Sequence, residues 1–118
     1  MAEITVLQMS GGGHGTEIDS LRGAGHVVVV VEPRWPECQG ALGDSRPALV
    51  VVDGSHQPSH GRRVAGWMAT QTRFRTVPFL FLDVPDRDVV RVKKEIARAQ
   101  FASWSSVVGA SQRLVKRD

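Results

Sequence analysis

The apolar residues of this 118-residue chain fall into five short segments, separated by stretches with helical spacing or turn residues. The second segment, His26–Glu32, contains five consecutive valines, which is typical of a strand buried on both faces of a parallel sheet. Strands that alternate with helices form a parallel sheet with helices on both faces. The predicted strands are Ile4–Met9, His26–Glu32, Pro47–Asp53, Val77–Asp83 and Gln100–Trp104.

Five strand–helix units in so short a chain predict one domain covering residues 1–118. The expected architecture is a three-layer α/β/α sandwich with a flavodoxin-like parallel sheet in the order 2-1-3-4-5. Thr16 and Ser59 are expected to cap the first and third helices. The predicted helices are Thr16–Arg22, Glu37–Leu42, Gly61–Thr72, Pro85–Arg98 and a last one from Ser105 or Ser106 to Val115, where Lys116 and Arg117 suit its C-terminal dipole.

Composition narrows the class of protein. The longest apolar runs are far too short to cross a membrane, so we expect no membrane partner. The first seven residues lack a basic region and a long apolar run, so no signal peptide is expected. The single cysteine, Cys38, excludes an internal disulfide framework and fits a reducing, cytoplasmic location.

Charge is divided unevenly along the chain. Residues 1–53 carry three basic and seven acidic side chains, whereas residues 54–118 carry twelve basic and five acidic ones. Helical spacing places Arg87, Arg91, Lys94 and Arg98 in one stripe. Such a stripe is either a solvated face or a surface for an anionic partner. Because no helix-turn-helix, stacking platform or zinc motif accompanies it, nucleic acid is an unlikely partner.

Asp53 ends a strand at the carboxyl edge of the sheet, where open α/β folds place their sites. Asp83 ends the neighbouring strand, so the two carboxylates are expected to lie close together. They would either share a cation, with help from His56 or His60, or each accept backbone N–H groups in its own turn. The second interpretation is favoured, so no metal site is expected.

Two further motifs carry weaker signals. The loop Gly11–Gly15 could cradle a phosphate through backbone N–H groups, but it lacks the P-loop register and lysine. A flexible loop is the favoured interpretation. Ser59 and His60 are adjacent without an orienting acid, so no catalytic role is expected for them.

With these residues in view, the chain resembles a response-regulator receiver (CheY-like) domain. Receivers carry an acid at the end of strand three and a glycine eight residues later, here Asp53 and Gly61, while Pro58 lies one residue later than usual. More narrowly, the chain is similar to a group of small uncharacterised bacterial receiver-like proteins. The shared residues are Asp53, Pro58-Ser59-His60-Gly61-Arg62, Val77-Pro78 and Ala99–Trp104.

The resemblance also shows what is missing. Receivers hold Mg²⁺ and a phosphoryl group with an acidic pair after strand one, a Thr or Ser after strand four and a Lys after strand five. The corresponding segments here are Met9-Ser10-Gly11-Gly12, Asp83-Val84-Pro85 and Ser103-Trp104-Ser105-Ser106. The resemblance therefore implies a degenerate receiver, a non-catalytic signalling or interaction module without a cofactor and not an enzyme.

Two alternatives remain open. Asp53 could still accept a phosphoryl group, in which case Mg²⁺ would be required, or the basic second half could bind a polyanion. By analogy with receivers, the expected partner is another protein or a second copy of the chain. The interface candidates are Arg87, Arg91, Lys94, Arg98 and Trp104, of which Trp104 is either an interface anchor or a core residue.

Overall fold

The computed structural model describes residues 2–115, so the predicted role of Lys116 and Arg117 lies outside the described residues. Five parallel strands form one sheet in the order β2-β1-β3-β4-β5, as predicted. No helix within residues 2–115 is long and apolar enough to cross a membrane. The strands are β1 (Glu3–Leu7), β2 (Val27–Val31), β3 (Leu49–Asp53), β4 (Phe79–Leu82) and β5 (Ala99–Ala102).

Helices cover both faces of the sheet, which confirms the three-layer architecture. The first and last helices pack on one face and the other three on the opposite face. Short 3-10 helices, Thr72–Phe74 and Trp104–Ser106, precede β4 and the last helix. The helices are α1 (Gly15–Gly23), α2 (Glu37–Gly43), α3 (Pro58–Ala69), α4 (Asp86–Glu95) and α5 (Val107–Val115).

The central strand β3 explains the unbroken apolar run that precedes Asp53. Its side chains alternate between the two faces, so Leu49 and Val51 enter one core while Val50 and Val52 enter the other. Since both cores are covered by helices, every residue of β3 is buried. Cys38 lies in the same core as Val50 and Val52, where burial raises the pKa of its thiol.

The prediction that the five-valine strand is buried on both faces is wrong. Val28 and Val31 are buried, but Val27, Val29 and Val30 are 47%, 44% and 42% exposed. The reason is topological, because β2 is an edge strand in this sheet order and the flanking helices leave much of it uncovered. The run of valines alone does not distinguish an edge strand from a central one.

Two predicted helix caps are also wrong. The helix α1 begins one residue before Thr16, and His14 precedes it in a left-handed conformation with φ 66°. Ser59 lies inside α3, whose first residue is Pro58. Proline is favoured there because its fixed φ suits the helix and the N–H that it lacks would have no helical partner.

The fourth helix is shorter than predicted. It ends at Glu95, so Arg98 lies in the turn before β5 and does not continue the basic stripe of the helix. The guanidinium of Arg98 instead donates to the carbonyl oxygens of Val77, at 2.8 Å, and Phe74, at 2.7 Å. The side chain of Arg98 therefore braces the loop before β4, and its role at an interface stays a prediction.

The glycine eight residues after Asp53 has a packing role. A Cβ on Gly61 would lie 2.9 Å from Cγ1 of the buried Val52, so α3 approaches β3 more closely than a larger residue permits. A Cβ on Gly66, in the same helix, would meet no atom within 4 Å.

We therefore expect opposite effects from alanine at these two positions. Gly61→Ala should lower the free energy of unfolding by about 1–3 kcal/mol through overpacking, whereas Gly66→Ala should raise it by about 0.5–1 kcal/mol through helix propensity. Urea unfolding of the two variants measures both changes. An equal gain in stability for both would contradict the close packing at Gly61.

Candidate functional site

The carboxylate of Asp53 lies at the carboxyl end of β3 and is the centre of a buried polar cluster. The residue is 2% exposed. Its Oδ1 accepts hydrogen bonds from the Ser55 backbone N–H at 2.9 Å, the Ser55 hydroxyl at 2.6 Å and the Trp104 indole N–H at 3.1 Å. Its Oδ2 accepts one from the Gln8 side-chain amide at 3.2 Å. Both carboxylate oxygens are therefore engaged.

The sheet order brings these donors together. Gln8 directly follows β1, and β1 pairs with β3 so that Leu7 lies beside Val52. Trp104 follows β5, two strands away, and its long side chain reaches Asp53. Ser55 comes two residues after Asp53 in a turn that begins with Gly54.

Gly54 is required by the close approach of the next strand. A Cβ at this position would lie 2.6 Å from the backbone oxygen of Leu82 and 2.7 Å from a methyl group of Val84. The backbone N–H of Gly54 donates to that same Leu82 oxygen at 2.7 Å. The turn that carries Ser55 is thereby fixed against β4.

The pKa of Asp53 reflects two opposing effects. Burial is the largest single influence and raises the pKa, because it penalises the charged form. The hydrogen bonds from Ser55, Trp104 and Gln8 together outweigh it, so the pKa of this carboxyl lies below its ordinary value. Asp53 is therefore a buried anion at neutral pH.

Trp104 is buried in the core of this structure, and its role at an interface stays a prediction. It is 2% exposed, and the His14 ring stacks on it with centroids 4.4 Å apart and an interplanar angle of 7°. His14 Nε2 lies 3.4 Å from the Ser55 hydroxyl, and its Nδ1 lies 3.7 Å from a carboxylate oxygen of Glu17. The start of α1 therefore covers the Asp53 cluster.

The glycine loop after β1 folds around Gln8. The Gln8 amide donates to the Gly13 carbonyl at 2.9 Å as well as to Asp53. A Cβ on Gly12 would lie 2.7 Å from the Gln8 side chain, so only glycine fits without displacement. The Gly11–Gly15 loop is thus packed against the cluster through Gln8, in the place where receivers carry their acidic pair.

Asp83, the expected neighbour of Asp53 at the end of β4, makes no hydrogen bond to the described residues of the Asp53 cluster. Asp83 is exposed with φ 56°, and its carboxylate accepts no hydrogen bond from residues 2–115. Within the same range, no three His, Cys, Asp or Glu side chains are grouped to hold a metal ion. The loop-capping interpretation thus fits Asp53, which accepts the Ser55 N–H, but not Asp83.

The remaining candidates of the following loop also make no hydrogen bond to Asp53. His60 and Ser59 are exposed in the first turn of α3, and the His56 ring contacts the Gln57 side chain at 3.4 Å. Ser55 is the one hydroxyl bonded to Asp53 in the described part of the chain. A carboxylate with a lowered pKa is a weak base, so this arrangement is suited to holding a charge and not to proton transfer.

A basic groove lies between α3 and α4, away from the cluster. Arg62, Arg63 and Arg91 line this cavity of about 640 Å³, together with one acid, Glu95. Arg62 lies 3.9 Å from Glu95, whereas Arg63 and Arg91 make no ion pair with a described residue. Two residues of the predicted stripe, Arg87 and Lys94, are exposed on α4. We call this surface the α3–α4 groove.

The sequence predicted Asp53 as a site residue, but three residues of the surrounding cluster were not predicted, namely Gln8, His14 and Ser55. Gln8 had a usable signal, because a polar residue that ends an apolar strand adjacent to β3 must lie near Asp53. Ser55 had one as well, because Asp-Gly-Ser favours a turn in which the aspartate accepts the N–H two residues later. No local signal pairs His14 with Trp104.

Comparison with known proteins agrees with the geometry at the level of fold. No protein-family model matches the chain, and no curated protein does either. The signal receiver domain of a signal transduction histidine kinase from Syntrophus aciditrophicus superposes with a TM-score of 0.77 at 23% identity, covering 98% of this chain and 91% of that one. The Mn²⁺-bound response regulator Rcp1 superposes with a TM-score of 0.73 at 13% identity, covering 100% and 97%. The chain therefore has the receiver fold.

The lowered pKa of Asp53 predicts how the free energy of unfolding depends on pH. Asp53→Asn should lower the free energy of unfolding by about 1–3 kcal/mol at pH 7, because an amide cannot satisfy all four donors. Since the folded pKa is depressed, this contribution is complete above the unfolded pKa of about 3.9 and is lost as the pH falls through the folded value. Urea unfolding of both proteins from pH 7 to pH 3 measures it. A difference that grows on acidification would contradict this assignment.

Proposed function

We propose that this receiver-fold domain is a non-enzymatic cytoplasmic interaction module that uses Asp53 as a structural anion and binds an acidic protein segment in the α3–α4 groove. The observation that carries the proposal is the full engagement of the Asp53 carboxylate by donors of its own chain. A carboxylate in this state is charged but has no free oxygen at the surface.

The donor set around Asp53 does not fit Mg²⁺. This ion requires oxygen ligands, usually including one or two carboxylates. Here the carboxylate faces an amide N–H, an indole N–H and a hydroxyl that all donate to it, and a second carboxylate is lacking among the residues that contact it. The Mn²⁺ of Rcp1 is a property of that protein.

The hydrogen bonds from Trp104 and Gln8 to Asp53 also disfavour phosphoryl transfer to this carboxylate. An attacking carboxylate oxygen must be exposed and in line with the leaving group. Trp104 binds the carboxylate where receivers use a lysine, and the His14 ring covers the indole. Gln8, which directly precedes the segment that corresponds to the acidic pair of receivers, binds the second oxygen. Modification of Oδ1 would require the Trp104 and Ser55 contacts to break, and modification of Oδ2 would require the Gln8 contact to break.

We expect that incubation with acetyl phosphate and Mg²⁺ adds no phosphoryl group to this protein. Intact-mass spectrometry measures the result, and a conventional receiver treated in parallel shows that the reagent is active. Asp53→Asn distinguishes modification of Asp53 from modification elsewhere. A phosphoryl adduct on the wild type that is absent from Asp53→Asn would contradict the structural role and support the phospho-accepting alternative.

The α3–α4 groove is the surface that best fits a partner. Three arginines face one glutamate along it, and α4 adds Arg87 and Lys94, with Asp86 and Asp88 in its first turn. Opposite charge accelerates association and fixes orientation. Guanidinium groups bind carboxylates with two parallel hydrogen bonds, which favours an acidic peptide over an apolar one. By analogy with receivers, the helix before strand five is also a common partner surface.

We expect a fluorescent glutamate-rich peptide to bind this protein and to dissociate as salt is raised. The double variant Arg63→Ala/Arg91→Ala should weaken binding at least about fivefold, because it removes the two unpaired guanidinium groups of the groove. Arg46→Ala/Arg75→Ala removes the same charge from two exposed arginines that do not line the groove and should change binding little. Fluorescence anisotropy measures the affinities.

The matched pair also separates this proposal from general polyanion binding. Equal losses in both double variants would contradict a specific groove. Tighter binding of a DNA duplex than of the peptide at the same salt concentration would support the nucleic-acid alternative instead.

A further inference from the structure

The free edge of β2 offers unpaired backbone groups. The Val27 N–H donates to Ala2, and the Val31 carbonyl accepts from Gln8, so these two residues face β1. Because backbone direction alternates along a strand, Val28 and Val30 face the free edge. Arg22 donates to the Val28 carbonyl at 3.1 Å, and the other backbone groups of Val28 and Val30 have no partner within residues 2–115.

The side chains of this edge are apolar and exposed. Val27 and Val29 lie on one face of the sheet and Val30 on the other, and each is more than two-fifths exposed. No charged residue interrupts β2, although charged residues commonly protect edge strands from pairing. The side chain of Arg22 is the one charged group bonded to the free edge of β2 among the described residues. It is nearly half exposed and lies beside Asp19.

We propose that β2 pairs antiparallel with β2 of a second copy of this chain, across a twofold axis at Val29. In this register Val28 lies opposite the partner's Val30, and the two residues exchange both of their free backbone hydrogen bonds. All five valines then find a valine opposite them. Any other register that aligns the outward-facing residues pairs fewer valines.

The ends of the strand favour a second copy over an unrelated partner. The same register places His26 opposite the partner's Glu32 at both ends of the paired strands. Glu32 is a partly exposed carboxylate, bonded to the Ser10 N–H and to Arg34. Both ring nitrogens of His26 are shielded from solvent in the single chain and have no hydrogen-bond partner among the described residues, so a contact with Glu32 requires the imidazole to turn toward the partner strand. The strand is therefore complementary to itself when reversed.

The pairing forms one continuous sheet from two domains and displaces Arg22 from the Val28 carbonyl. It shares no residue with the α3–α4 groove, so it does not depend on the function proposed above. An isologous contact of this kind closes on itself and gives a dimer without further growth through the same edge.

Two cysteine variants test the register. At the twofold axis, Val29→Cys brings two thiols together across a pair with Cα atoms about 4.5 Å apart, within disulfide range. In Val27→Cys the two thiols would lie more than about 10 Å apart along the strands. Under mild oxidation we expect a covalent dimer from Val29→Cys and not from Val27→Cys. Equal cross-linking of both, or of neither, would overturn the register.

Sedimentation equilibrium tests the surface itself. The wild type should approach twice the mass of one chain as concentration rises. Val30→Lys should raise the dimer dissociation constant at least about tenfold by placing charge on the edge. The matched control, Val90→Lys, changes a valine that is 64% exposed on α4 and should leave the constant unchanged. Circular dichroism checks that both variants fold.

A wild type that keeps the mass of one chain at every concentration would overturn the proposal, as would equal weakening by the two lysines. If Val30→Lys fails to fold, the cysteine pair decides the question. A dimer that survives Val30→Lys would place the contact elsewhere on the molecule and would also overturn this inference.

Discussion

A buried carboxylate requires hydrogen-bond donors in place of water, and the residues at the carboxyl edge of this sheet provide them. An ionised side chain costs several kcal/mol to bury unless hydrogen bonds replace its water. Asp53 obtains them from three separate parts of the chain: Gln8 after β1, Ser55 after β3 and Trp104 after β5. The same contacts that compensate the charge join the outer strand β5 and the loop after β1 to the centre of the sheet.

The chain has the receiver fold, and we propose that Asp53 acts in it as a structural anion and not as a phospho-acceptor. The chain keeps the strand order, the acid at the end of β3 and the close-packed glycine at position 61. The groups beside the acid are donors that belong to the protein, so the anion is held in the core. A fold can host different functions when the residues at its site change. The surfaces that we propose for partners are the α3–α4 groove and the free edge of β2.

The sequence predicted the fold well because the signals for it are local. Alternating apolar and helical segments define the units, and their number and spacing give the sheet order. The predictions that failed depend on tertiary position. The exposure of Val29 follows from the place of β2 at the edge, and the place of Arg98 outside the helical stripe follows from a helix that ends at Glu95. The contact between Trp104 and Asp53 joins residues 51 positions apart, which no local pattern predicts.

The central claim is tested most directly by the pKa of the Asp53 carboxyl group, measured by NMR from its side-chain carbon. Our account predicts a wild-type pKa below the ordinary value of about 3.9. It predicts a higher pKa in Trp104→Phe, which loses one donor, and no change in Trp67→Phe, whose ring packs against Trp35. A wild-type pKa at or above the ordinary value, or the same shift in both variants, would contradict it.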